Sequence, residues 1–569
     1  MESTTPWPEA AALIADHGEA GWSALLTAVT AHHGRPVPVD TWGLAVPAGA
    51  SDLTGMAAAL VREPVPAGPG GSDVGAALAR LHLALLGDRD RRGAFYTPPD
   101  LADWLVARAL AGAPAATSVL DPACGAGDLL LAARRRGVPS RALHGTDLDP
   151  VAVAVARLRL LLADPAADVD DVVARLRVAD GLGEHPAAPV DVVLGNPPFL
   201  GRLRAATATT ATGGLGAYTD AAAVFLHRAL DLVAPGGRIA MVQPVSVLAA
   251  RDAVAVRSAV LDQGRLLDLW VEPVTTTAAT GPFPGLHVQT CAVVVERGPV
   301  TGRDGPADAV GDRPRVRVWS SYARGARGRL RPAPRDAAGW AALGARAGRV
   351  EHRVPAVRPR TRGVLGDLAT ITADFRDEYY GLVPHVREAA ELEDPEAPRA
   401  WAPLVTSGLI DPARCGWGRR PARFARRTWQ APAVAPADLP EPLAGWARSR
   451  LVPKVLVAPQ GRVVEAVADP EGRWLPSVPV ISVVPVVGGP EDPPAWARAL
   501  AVLLAPTTSA LLAARLHGSG LQPGAVRFSA RHRAAVPLPA DQGAWDDAAR
   551  LFLAHPAPAP VDVVEALLD

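Results

Sequence analysis

The feature that most narrows the fold is a regular alternation between residues 118 and 198, where short apolar runs and helical stretches take turns around glycine and aspartate. SVLDPA (118–123) leads into LLLAARRRG (129–137), and ALHGTDLD (142–149) leads into PVAVAVARLRLLLAD (150–164). RVADGL (177–182) is then followed by VDVVLGNPP (190–198). Strands alternating with helices in this way build a doubly wound α/β sheet, with ligand-binding turns at the C-terminal ends of the strands. FLHRALDLVAPGGRIAMVQP (225–244) and HVQTCAVVVER (287–297) continue the pattern, so the expected sheet runs to about residue 297.

Residues 298–360 are rich in Arg, Gly and Pro with little periodicity and read as a linker. After them VPKVLVAP (452–459), GRVVEAVAD (461–469) and VPVISVVPVV (478–487) are β-like, while ARALAVLLAPTTSALLAARLHG (497–518) is helical. The expected division is a helical region over 1–88, an α/β domain over 89–300 and a linker over 301–360. A mixed α+β domain over 361–545 and a tail over 546–569 complete it.

Charge separates these parts. The chain has 58 basic and 58 acidic side chains, which sum to zero and taken alone argue against a polyanionic partner. Residues 1–300 hold 23 basic and 30 acidic groups and residues 301–569 hold 35 and 28, so the halves are −7 and +7. Arg313, Arg315, Arg317, Arg324, Arg327, Arg329, Arg331 and Arg335 follow one another with no acid between them. A second acid-free run holds Arg414, Arg419, Arg420, Arg423, Arg426 and Arg427, interleaved with Trp417, Phe424 and Trp429. Lys454 is the single lysine. Cys124, Cys291 and Cys415 are too few and too far apart for a disulfide framework or a CxxC zinc site, which implies a reducing cytoplasm and no metal centre. No run of about 18 apolar residues predicts a membrane span, and the N-terminus lacks a signal-peptide pattern.

The chemistry-bearing segments lie at the expected strand ends. Asp121-Pro122-Ala123-Cys124-Gly125-Ala126-Gly127 is a Gly-x-Gly turn between strand and helix, where glycine lets backbone approach a ligand closely. It is not a phosphate-cradling Walker loop, because the Lys-Ser/Thr pair is absent. Asp147 ends the next strand, placed to accept two hydrogen bonds from a ribose diol, and Asp180 ends the third, placed to accept from an adenine amino group. After the fourth strand comes Asn196-Pro197-Pro198-Phe199. Two prolines make a stiff extended turn, and the Asn196 side-chain carbonyl sits beside the Pro197 main-chain carbonyl. Two adjacent acceptors suit a planar NH2 group, and Phe199 supplies a face for an aromatic ring.

Taken in order, these segments resemble the S-adenosylmethionine-dependent amino-methyltransferases, in particular the gamma-class N6-adenine DNA methyltransferases. Gly93-Ala94-Phe95-Tyr96-Thr97-Pro98-Pro99 is similar to that family's cofactor segment ahead of the glycine turn, and Phe283-Pro284-Gly285 to the segment whose aromatic sandwiches the extruded base. The order also includes LGDLATI, PLVTSGLID and the closing AAVPLPA, and the resemblance spans roughly residues 90 to 540. It implies a Rossmann-like methyltransferase sheet, an N-terminal helical region and a C-terminal target-recognition domain facing the sheet across a DNA cleft. The implied cofactor site is Tyr96, Thr97, Pro98, Asp121, Pro122, Ala123, Gly125, Gly127, Asp147 and Asp180, and the implied catalytic segment is Asn196, Pro197, Pro198 and Phe199. Phe199 and Phe283 would hold the flipped base, and Arg419, Arg420, Arg423, Arg426, Arg427 and Lys454 would meet DNA.

The implied reaction is methylation of the adenine N6 amine in double-stranded DNA, in a bacterial cytoplasmic, nucleoid-associated enzyme of a restriction-modification or defence system. Asn-Pro-Pro-Phe also serves methyltransferases that act on protein glutamine or on RNA, so those substrates stay open, as does an idle DNA-binding subunit on the same scaffold. Cys124 reads as packing and not as a nucleophile, since no Pro-Cys pair occurs. With one lysine, a nuclease centre is not expected in this chain, which leaves room for a separate endonuclease partner.

Overall fold

The computed structural model describes residues 7–45, 51–61, 73–86, 95–111, 118–183, 188–199, 215, 219–273, 281–283, 288–298, 314–345, 347, 360–373, 376–392, 401–486, 492–520 and 525–554. Gly93, Ala94, Pro284, Gly285 and Arg313 lie outside them. The chain divides into two units, residues 1–352 and 353–569.

The first unit is built on a nine-stranded sheet among the described residues. Its strands are β1 (Val119–Asp121), β2 (Leu143–Asp147), β3 (Leu176–Val178), β4 (Val190–Gly195), β5 (Val233–Pro244), β6 (Gly264–Val271), β7 (Thr290–Arg297), β8 (Arg315–Trp319) and β9 (Arg329–Pro332). They are ordered 3-2-1-4-5-7-6-8-9. The first five run parallel, while β7 is antiparallel to β5 and β6. Val192, Val193 and Leu194 of β4 are all buried, as expected for a strand covered on both faces. Chain order reverses between the neighbours β1 and β4, so their C-terminal ends form the crevice where ligands of open α/β sheets bind.

Among the described residues four α-helices precede β1: α1 (Pro8–His32), α2 (Ser51–Val61), α3 (Val74–Leu85) and α4 (Pro99–Ala109). Behind β1 and β2 follow α5 (Asp128–Arg135) and α6 (Pro150–Ala163). The N-terminal region is helical as expected, and it packs into the core of the first unit. Trp22, Leu25, Trp42 and Leu78 share one hydrophobic core with Leu105, Val153 and Leu158. Arg157 of α6 donates to the Thr41, Trp42 and Leu176 carbonyls at 2.9, 3.1 and 2.8 Å. Arg35 in turn donates to the Leu161 and Asp164 carbonyls at 2.7 and 2.8 Å. Desolvating a guanidinium costs several kcal/mol, and hydrogen bonds to a charged group return about 1.5–3 kcal/mol each, so three or more carbonyls make the burial tolerable.

Within the expected linker over 301–360, the described residues 314–345 hold two strands and a helix. β8 and β9 extend the sheet because RVRVW alternates, burying Val316 and Val318 and turning Arg315 outward. The helix Gly339–Ala345 buries Trp340, and Arg257 donates 2.8 Å to the Ala337 carbonyl. Arginine-rich composition concealed this alternation.

The second unit is α+β. One antiparallel sheet has the order Ala369–Ala373, Ile481–Pro485, Lys454–Val457 and Ala466–Asp469. A smaller mixed sheet joins Val386–Glu388, Pro432–Val434, Ala402–Val405 and Leu475–Pro476. The helical stretch predicted over 497–518 is two helices, Ala495–Leu504 and Pro506–Leu516, bent by 59°, since proline cannot continue the amide ladder. The expected tail boundary at 546 falls inside the helix Gln542–Ala554, whose Asp546 pairs with Arg498 at 2.5 Å. Among the described residues no single helix is long and apolar enough to cross a membrane.

Candidate active site

The glycine turn leaves β1 at Asp121. Gly125 and Gly127 have φ of +50° and +84°, values that favour glycine, and the Gly127 amide closes the turn on the Cys124 carbonyl at 2.8 Å. A Cβ on Gly125 would stand 3.2 Å from the Tyr96 ring, so that ring lies directly over the turn. Asp147, at the end of β2, accepts from the Gly125 amide at 2.8 Å and the Asp149 amide at 3.0 Å, one per carboxylate oxygen. Each oxygen keeps a further acceptor site. Asp180 accepts from the Leu182 amide at 2.9 Å and so also shapes its own loop. Cys124 is buried, with Sγ 3.0 Å from where a Cβ on Gly145 would lie, and packs as expected.

Carboxyl groups crowd this crevice, and burial opposes their ionisation. Burial pushes the Asp121 carboxyl up to about 8, with the nearby Asp147 and Asp128 charges adding to the effect. Burial also raises Asp147, against the hydrogen bonds it receives from Asp149 and Gly125.

Three residues outside the sequence-derived set tie the site together. Asp128 accepts from the Thr97 amide at 3.1 Å and from Arg159 at 2.7 Å, fastening the Tyr96-Thr97-Pro98 segment to α5 and α6. Asp149 caps α6 through the Val151 and Ala152 amides at 2.9 and 3.2 Å, and meets His82 Nε2 at 3.0 Å. The other ring nitrogen of His82, Nδ1, is 2.5 Å from the Tyr96 hydroxyl. With Asp149 taking the Nε2 proton, Nδ1 is the acceptor and Tyr96 donates. Burial pushes the Tyr96 phenol well above its usual value, with Asp128, Asp149 and Asp147 adding to it, so it stays a donor. For Asp149, burial raises the carboxyl, but the hydrogen bond from His82 and the two capping amides outweigh it and leave it below the usual range. Asp128 and Asp149 were visible in sequence as acids just beyond strand-end motifs. His82 carried no local signal, because its partners lie 14 and 67 positions away.

Beside the turn, β4 ends at Gly195 and leads into Asn196. Its Nδ2 donates 2.8 Å to the Phe95 carbonyl, which orients the amide, and its Oδ1 is buried with no partner among the described residues. An orphaned buried acceptor costs about 1–3 kcal/mol. The amide group aimed here is therefore satisfied on its donor side and open on its acceptor side. Phe199 is buried and packs edge-to-face on Phe283, centroids 5.9 Å apart at 76°, and Phe283 meets Phe95 at 6.1 Å. The expected slot between Phe199 and Phe283 is thus closed: a sandwiched ring needs parallel faces about 7 Å apart, two van der Waals contacts.

In the second unit the arginine-rich segment forms two hairpins, Ile410–Asp411 with Arg414–Cys415 and Ala422–Phe424 with Arg427–Trp429. The second turns through Ala425 and Arg426 at φ +51° and +62°. Arg414, Arg419, Arg423, Arg426 and Arg427 are exposed. Arg427 lies over Trp429, 4.5 Å from the ring centroid, while Arg420 is paired with Asp411 at 3.0 Å and is not free for an outside anion. Lys454 requires correction. It is fully buried and paired with Asp469 at 2.5 Å, because its strand is central and both faces are covered, so it cannot reach a phosphate.

This strand order, with a Gly-x-Gly turn after β1 and Asn-Pro-Pro-Phe after β4, is that of a Rossmann-like α/β unit. Residues 87–303 match the model of the N-6 DNA Methylase family. A Type II methyltransferase of Thermus thermophilus is 28% identical over 219 residues, 36% of this chain and 45% of that protein. The match thus spans less than half of the relative's length. The fold is similar to that of the Type IIL restriction-modification enzyme MmeI, solved in complex with DNA, with a TM-score of 0.56 at 12% identity over 91% of this chain and 81% of that one.

Proposed function

We propose that this chain is a site-specific DNA methyltransferase that moves a methyl group from S-adenosylmethionine to the N6 amine of an adenine flipped out of duplex DNA, in a restriction-modification or defence system. The observation that carries this reading is the Asn196 amide, anchored through Nδ2 on the Phe95 carbonyl with a buried, unpartnered Oδ1. The exocyclic amine of adenine is a poor nucleophile because its lone pair is delocalised into the ring. Accepting its two protons on Asn196 Oδ1 and the Pro197 carbonyl favours the pyramidal nitrogen of the transition state, which is stabilisation by fixed dipoles and positioning. Pro197 and Pro198 hold those acceptors rigid.

The residues present fit S-adenosylmethionine, which when bound supplies an electrophilic sulfonium methyl. Gly125 and Gly127 open the turn, Tyr96, Thr97 and Pro98 cover it with Pro122 and Ala123 alongside, and Asp147 and Asp180 retain acceptor capacity. For the base to enter, Phe283 must leave the face of Phe199. The second unit, over the expected 361–545, supplies target recognition, with Arg414, Arg419, Arg423, Arg426 and Arg427 on its hairpins toward phosphate.

Labelled S-adenosylmethionine and unmethylated genomic DNA, followed by nucleoside analysis, test the reading. N6-methyladenine is the expected product. Labelled N4-methylcytosine, or label in RNA or protein and none in DNA, would refute it.

A further inference from the structure

The register across the sheet carries a consequence for where a duplex touches the first unit. Gly195 of β4 pairs with Met241, Met241 with Val293, Val293 with Leu269 and Leu269 with Val318 of β8, so these residues form one row. β8 is parallel to β6, and β6 and β5 are both antiparallel to β7, so β4 and β8 point the same way. Asn196 and the turn between β8 and β9 therefore leave the sheet on the same rim. They are four strand spacings apart, about 19 Å at roughly 4.8 Å each.

That turn is held firmly on the rim. Tyr322 packs edge-to-face on Trp270 at 5.1 Å, Trp319 donates to Asp268 at 2.7 Å and meets Trp104 at 5.6 Å. Tyr322 and Ala326 pack against the core cluster that contains Phe199 and Phe283. The Ala326 amide closes a tight turn on the Ala323 carbonyl at 2.9 Å, with Gly325 at φ +84° in the position where a type II turn needs it. Arg324 and Arg327 project from this framework exposed and without an ion pair among the described residues, whereas Arg317 on the strand lies 3.9 Å from Asp268. Edge-strand protection accounts for Arg329 and Arg331, which lie on β9, but not for charges placed on the turn.

We infer that the Arg324–Arg327 turn is a phosphate contact for duplex DNA carried by the catalytic unit itself, on the rim of Asn196. It rests on the DNA reading above. At about 3.4 Å per base pair, its distance from Asn196 corresponds to about five or six base pairs along the duplex, a separation within one helical turn.

The test uses the full chain and a mixed-sequence duplex of about three helical turns, measuring the slope of log K against log salt. Each phosphate contact contributes about 0.9 to that slope, so Arg324→Ala/Arg327→Ala flattens it by about 1.8. The charge-matched Arg136→Ala/Arg141→Ala, two exposed arginines on the opposite rim, leaves it unchanged. An unaltered slope in the first variant, or an equal change in both, overturns this surface alone. Absence of duplex binding by the wild-type chain overturns the DNA reading and the surface with it.

Discussion

Replacing Asn196 by alanine separates catalysis from stability in a way the geometry makes quantitative. Among the described residues the Asn196 amide makes one hydrogen bond, to the Phe95 carbonyl at 2.8 Å, and holds one buried acceptor with no partner. Asn196→Ala leaves the Phe95 carbonyl without that donor, a penalty of about 1–3 kcal/mol if it stays dry, and removes the orphaned Oδ1, a gain of the same order. The two nearly cancel, so net stability changes by no more than about 1 kcal/mol and Tm by no more than about 2–4 °C. Methyl transfer behaves differently. Losing one preorganised partner of the transition state costs about 10²–10³ in turnover, or roughly 3–4 kcal/mol. Single-turnover transfer of labelled methyl, read beside thermal unfolding of the same variant, checks both numbers. Activity within tenfold of the wild type, or a Tm loss large enough to account for the inactivity by unfolding, would refute the assignment of Oδ1 as the amine acceptor.

Other outcomes follow from the same site and core. In the folded chain Asp121 keeps its proton to about pH 8, whereas an unfolded aspartate loses it near 4. The folded state binds more protons between those values, so stability falls as pH rises through that window, and Asp121→Asn should flatten the decline in Tm measured from pH 5.5 to 8.5. If His82 acts by holding the Tyr96 hydroxyl, His82→Ala and Tyr96→Phe weaken S-adenosylmethionine binding non-additively, with a coupling of about 0.5–3 kcal/mol by calorimetry; strict additivity would make His82 a packing residue only. Lys454→Met leaves the Asp469 carboxylate buried beside only the Arg473 and Trp474 amides, and should cost about 3–5 kcal/mol of stability while the salt slope of DNA binding stays unchanged.

Much of the architecture was legible because strand-helix alternation is a local property. The runs ending in Asp121, Asp147 and Gly195 became β1, β2 and β4 where the apolar pattern put them. The pattern failed where composition masked period, as in RVRVW, whose two valines face the core between arginines.

The site divided along the same line. Gly125, Gly127 and the Asn196-Pro197-Pro198-Phe199 turn are consecutive in the chain, so sequence by itself determined which backbone turns and which acceptors stand at the strand ends. Which of them has a free lone pair, which aromatic faces meet and which cation is exposed depend on partners far away in the chain. Phe95 orients Asn196 across 101 positions, His82 reaches Tyr96 and Asp149 from a helix with no motif, and Asp469 takes Lys454 out of solvent. Burial and hydrogen-bond pairing are properties of the folded ensemble of neighbours, and for that reason only the tertiary structure decided them.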